Sequence, residues 1–145
     1  MILKRGARAT LRRIESMRRT AIPALSAAGA EVYKIEADNL YAFFENPRNA
    51  LEGALDAHRA LRRLGSSGPK IAIGIGFGKL LYVPAEDEYY GAEFNLASKL
   101  GEDIGSGGET LLTEGLARRL EPGELTLRKR TVTVSGVKFA YYRVG

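Results

Sequence analysis

The residues best placed to do chemistry fall in two sets. Asp38 stands in the middle of the stretch EVYKIEADNLYAFFE, residues 31–45, and Lys34 lies four residues before it. Val32, Tyr33 and Ile35 on one side, and Leu40, Tyr41, Phe43 and Phe44 on the other, favour a pleated, half-buried surface. Ala37-Asp38-Asn39 between them predicts a tight hairpin turn, because Asp and Asn tolerate left-handed backbone. The hairpin offers a carboxylate at its tip and a cation on its first arm. Turn chemistry with a solvated strand edge is the plainer use of the same pair. Asn95 and Lys99 form the second set, four apart in a helical stretch and so on one helix face. Between the sets lie the acidic run Glu86-Asp87-Glu88 and the glycine-spaced Gly74-Ile75-Gly76-Phe77-Gly78. These glycines make neither a phosphate loop, since no Gly-Lys-Ser/Thr closes them, nor a dinucleotide fingerprint, since the third glycine is misplaced and no helix follows. They predict close backbone approach at a strand turn, or room for a ligand. His58, the single histidine, is expected at the boundary of a helix face; without Cys or a second His, a His-based zinc site is not supported.

The elements that must position these groups follow from periodicity. Residues 7–28 predict a helix, with Leu11, Ile14, Met17, Ala21, Ile22 and Leu25 at three- and four-residue steps and the arginines mostly between them. Pro23 is expected to kink or end it, and Gly29 to stop it. Met1-Ile2-Leu3 is too short to form a full strand. After the hairpin, Asn46-Pro47 opens a second helix with Leu51, Ala54, Leu55, His58 and Leu61 on one face. Strands are expected at Lys70–Ile75 and Leu80–Val83, then a helix from Ala92 to Ile104. A short strand, Glu109–Leu112, leads into a short helix, Glu114–Leu120, capped by Thr113. Leu125–Arg130 and Val132–Val144, with a bend at Ser135-Gly136, supply the last strands. Helices alternating with antiparallel hairpins predict an α+β sandwich, a mixed, mainly antiparallel sheet with helices packed on it.

Bulk properties narrow the function. A chain of 145 residues suits one domain, residues 1–145, able to bury about two-thirds of its unfolded surface. The absence of Cys excludes disulfides and thiolate metal sites and fits a reducing, cytoplasmic setting. No run approaches the roughly 20 apolar residues of a membrane helix, so no membrane segment is expected. The net charge is +5, and residues 1–19 alone sum to +6, with seven Lys and Arg against Glu15. A basic face can meet nucleic acid or an anionic membrane, and an Arg-rich start resembles a transit peptide. The apolar stripe of the same helix favours a solvated face on a packed element. Nucleic-acid binding is not expected, because no Lys/Arg-Gly-Phe-like motif puts aromatics on the sheet.

Four segments in order resemble one family. KIEADNLYAFF resembles the hairpin of class III adenylate and guanylate cyclase domains, and YYGAEFNLASKL resembles their later aromatic-Gly, Asn, Ala, basic segment. IAIGIGFG between them and GGETLLTE after them resemble the family's intervening and following strands, so that the likeness covers roughly residues 10–120. The resemblance implies a ferredoxin-like nucleotide-cyclase fold and cyclisation of a nucleoside triphosphate at a homodimer interface, with Mg²⁺ or Mn²⁺ held by two Asp residues of one subunit. By position, Asp38 matches the second metal Asp, a hard oxygen ligand apt for either ion. Lys34 matches the base-reading residue, where Lys goes with adenine and Glu with guanine; an ammonium donates to adenine N1 but accepts nothing from guanine N1–H. Glu88 falls where an acid accepts from the adenine amino group. Asn95 matches the ribose-positioning residue, and Lys99 the basic residue that steadies the developing phosphate charge. Lys138 matches the phosphate lysine only loosely. ATP is therefore the favoured substrate and cyclic AMP with pyrophosphate the expected products. The departures are an Ala at position 37 in place of Gly, Lys99 in place of the bidentate Arg, and no Asp before Asp38. The first metal Asp belongs on a strand before the first helix. The expectation is a domain N-terminally incomplete relative to the family and weak or silent in this form; a silent homology module that dimerises or regulates is the alternative.

Overall fold

The computed structural model describes residues 5–36 and 38–145. The expectations about Met1-Ile2-Leu3 and about Ala37 lie outside the described residues. The chain divides into two compact units, one running through Ile71 and the other Ala72–Gly145.

The first unit is α1 (Arg5–Ala27), β1 (Val32–Glu36), β2 (Asn39–Phe43) and α2 (Pro47–Arg62). α1 packs on α2. The stripe sinks only from its third turn onward: Met17 and Ala21 are buried, whereas Leu11 is 48% exposed and residues 6–13 are all exposed. Pro23 does not end α1, contrary to expectation. It lies on the solvent side, where water can serve the carbonyl that its missing N–H leaves unbonded. The stop comes at Gly29, whose φ of 106° suits a residue without Cβ; its N–H donates to Ser26 O at 3.0 Å and the Ala30 N–H to Leu25 O at 3.1 Å. Asn46 caps α2, its side chain accepting from the Arg48 N–H at 2.9 Å, with Pro47 at the first helical position. His58 is buried among Leu51, Ala54, Ala57 and Leu61 rather than at the boundary of that face. Gly53 lets the helices approach, since a Cβ there would sit 3.1 Å from the Ala28 Cβ and 3.2 Å from the Phe44 ring.

The second unit holds β3 (Ile73–Ile75), β4 (Leu81–Val83), β5 (Glu88–Tyr90), α3 (Ala92–Lys99), β6 (Thr110–Thr113), α4 (Glu114–Ala117), β7 (Leu127–Val134) and β8 (Val137–Val144). Its main sheet runs β3-β6-β8-β7, parallel between β3 and β6 and antiparallel elsewhere, as the mixed, mainly antiparallel expectation required. Every residue of β6 is buried, and Leu100, Leu111 and Tyr141 form a core packed by Ile104, Val132 and Phe139.

Five expectations change here. The strand expected at Lys70–Ile75 shortens to Ile73–Ile75. The helix expected through Ile104 is α-helical only to Lys99 and widens to a π turn over Leu100–Ile104, closed by the Gly105 N–H on Leu100 O at 2.7 Å. β5 pairs with β4 in a separate two-stranded ribbon that the acidic run had concealed. The last hairpin turns at Ser135-Gly136, both with positive φ, so β7 runs unbroken through Thr131. The short helix after β6 also stops at Ala117, three residues early.

Candidate functional site

The β1–β2 hairpin carries the first set. Its register pairs Glu36 with Asn39, and Asp38 lies exposed at the turn beside them. Lys34 lies opposite Tyr41, and its side chain is only 13% exposed. Residues 34 and 36 point to the same face of a strand, and the Lys34 ammonium sits 3.1 Å from Glu36 Oε1. The cation is therefore held by a carboxylate of its own strand. Sequence reading missed Glu36, although a partner at i+2 on a strand is legible in principle.

The second set stands in the other unit. Glu88 is half-buried on β5, opposite Val83. Gly91 then breaks the strand, and α3 presents Asn95 and Lys99 one turn apart, both exposed. The Asn95 backbone N–H closes the first turn on Gly91 O at 3.0 Å, and its side chain is exposed. Lys138 is exposed beside the β7–β8 turn, opposite Thr133. The structure thus brings Lys34 and Asp38 onto one hairpin, and Asn95 and Lys99 onto one helix face.

The glycine-spaced stretch positions α3. A Cβ at Gly74 would run into Ala97 O and lie 2.8 Å from Gly101 N; one at Gly76 would lie 2.7 Å from Glu93 O. The strand backbone lies directly on α3 and the π turn, and of the two roles expected for these glycines, close approach is the observed one. Glu93, which the sequence reading passed over, fastens the same helix. It sits in the first turn of α3, where its charge suits the helix dipole, and accepts from Thr113 Oγ1 at 3.0 Å. That hydroxyl also accepts from the Leu116 N–H at 3.1 Å and so caps α4.

Below β6, Glu109 ties the sheet. The Ser106 N–H donates to its Oε1 at 2.8 Å, and Arg143 Nε and Arg130 Nη1 lie 2.8 and 3.3 Å from Oε2. The Ser106 N–H, then the two guanidiniums, hold the Glu109 carboxyl below its ordinary value against the opposing effect of desolvation.

Among the described residues, no three His, Cys, Asp or Glu side chains converge as a metal cluster. Asp38 alone supplies one oxygen ligand, whereas Mg²⁺ demands a near-octahedral set. Mg²⁺ usually keeps several waters and takes further oxygens from substrate phosphates, so Asp38 would be one of a small number of protein ligands.

No protein-family model matches the chain, and neither does any curated protein. Solved structures do match. An adenylate/guanylate cyclase/hydrolase from Silicibacter pomeroyi is 21% identical, with a TM-score of 0.77 over 92% of this chain and 83% of its own. An adenylate cyclase from Trypanosoma brucei, in its monomeric state, is 15% identical, with a TM-score of 0.77 over 93% of this chain and 78% of its own. The guanylate cyclase domain from Catenaria anguillulae, in complex with GTP, is 15% identical, with a TM-score of 0.66 over 94% of this chain and 83% of its own. The chain has the α+β fold of the class III adenylate and guanylate cyclase catalytic domains that its sequence resembles.

Proposed function

We propose that the chain is a nucleotide cyclase domain of the adenylate type, converting ATP to cyclic AMP and pyrophosphate as a homodimer. The observation that carries this reading is the cyclase fold over more than nine-tenths of the chain; the roles of Lys34, Asp38, Asn95 and Lys99 come from the sequence resemblance. Lys34 favours adenine over guanine, because its ammonium donates and cannot accept. Glu88, as an acceptor, suits the adenine amino group. Asn95 orients the ribose, and Lys99 steadies negative charge on the phosphates as a point charge, without the fork of an Arg. The neighbours include both adenylate and guanylate cyclases, so the choice of base rests on Lys34 and Glu88 alone. A divalent ion, when bound, supplies the activation of the ribose 3′-hydroxyl and the charge neutralisation; Asp38 is the one carboxylate assigned to it.

A second reading has its own support. Lys99, where the resemblance expects a bidentate Arg, favours a catalytically silent module that binds nucleotide and dimerises. Turnover of ATP with Mn²⁺ by the purified chain separates the two. Cyclic AMP that disappears in Asp38→Ala supports the enzyme; saturable ATP binding with no product supports the silent module.

A further inference from the structure

A groove of about 480 Å³ lies between α1 and the loop that follows α2. Ala9, Arg12, Arg13 and Ser16 line one wall, at i, i+3, i+4 and i+7, a single stripe of the helix. Leu64 and Ser67 line the other. Ala9 and Ser16 are small, so the stripe forms a trough flanked by two long cationic side chains. Arg12 and Arg13 make no ion pair among the described residues. Glu15 is the single acid in the first 30 residues, and the chain through Ile71 carries thirteen Lys and Arg against seven Asp and Glu. The last turn of α2 closes on itself, although its negative helix end still counts against an anion nearby. The carbonyls of Arg59, Leu61 and Arg62 accept from the N–H groups of Arg63, Leu64 and Gly65.

The charged and hydroxyl groups of this groove are donors. Each guanidinium presents a planar fork that matches the oxygens of a phosphate, and the two serine hydroxyls can donate as well. A bare phosphate ion does not fill such a volume, although the groove is shallow and largely open to solvent. Leu64, 45% exposed, adds an apolar wall with no polar group to satisfy. We infer that this groove binds a soluble phosphate ester bearing a small apolar or planar organic group. The site involves neither the hairpin with Lys34 and Asp38 nor α3, and it does not depend on the cyclase reading.

The test is calorimetric titration of the complete chain with phenyl phosphate, with amide NMR shifts to locate binding. The expected result is saturable binding, shifts at Ser16 and Ser67, and weakening by about tenfold or more in the Arg12→Gln/Arg13→Gln variant. Both arginines are exposed, so the variant keeps its helix content. Ser67→Ala, in the loop, gives a second and smaller weakening that does not involve α1. No saturable binding, equal binding by both variants, or binding only to phosphatidylglycerol vesicles overturns the inference.

Discussion

The β1–β2 hairpin and the contact of β3 with α3 are built on opposite terms. The hairpin carries Asp38 at an exposed turn and a largely buried Lys34 on β1, tied to Glu36 at 3.1 Å. The β3–α3 contact excludes even a methyl group, since a Cβ at Gly74 would run into Ala97 O. The difference separates chemistry from scaffold. Substitution on the hairpin should change what the protein does while leaving its stability nearly intact. Substitution at the contact should do the reverse.

The largest expected effect is at the contact. Gly74→Ala should cost about 3 kcal/mol or more, because both obstructing atoms are backbone and cannot rotate away. Urea unfolding measures it, and a near-neutral result would break the scaffold half of the comparison. Next is Thr113→Val, which removes the cap on Leu116 and the donor to Glu93 together. A loss of about 2 kcal/mol is expected, with Thr113→Ser recovering most of it.

Acid should weaken the second unit through Glu109. Its carboxyl is held below the ordinary value of 4.5 in the folded state, so its contribution is complete above that value and is lost as pH falls through the folded one. Thermal melts between pH 6 and pH 3 should therefore slope down on the acid side, and Glu109→Gln should flatten that slope. The smallest stability change is expected on the hairpin. Lys34→Ala should cost about 1 kcal/mol, since its ion pair joins a half-exposed Glu36 while its own side chain is only 13% exposed. The same variant should lose its preference for ATP over GTP, measured by competition binding.

The elements were largely legible because their signals are local. Asn46-Pro47, Gly29 and Thr113 each act on the nearest turn, and each acts where expected. The glycine spacing at 74, 76 and 78 announced a close approach, but not its partners, which lie some twenty residues away in α3. Of the β4–β5 ribbon, β4 was expected at Leu80–Val83, but its partner β5 was missed for a physical reason. Leu81 is 63% exposed and Tyr90 is 47% exposed, so no buried alternation marks the strands. Cross-strand contact holds them instead, with the Tyr82 and Tyr89 rings 4.7 Å apart and the Tyr90 hydroxyl donating to Glu86 at 2.6 Å. The widening of the helix after Lys99, where Gly74 and Gly101 approach closely, was equally hidden, because that approach is a tertiary contact. Of the candidate site, residue types and elements were legible, but the restraint of Lys34 by Glu36 and of α3 by Glu93 came only with the coordinates.

The most direct test of the central claim is product analysis after incubating the purified chain with ATP and Mn²⁺, with Asp38→Ala alongside. The proposal predicts slow formation of cyclic AMP, absent from Asp38→Ala while that variant unfolds within about 0.5 kcal/mol of the native chain. No cyclic AMP from the native chain, or equal amounts from both, would contradict it.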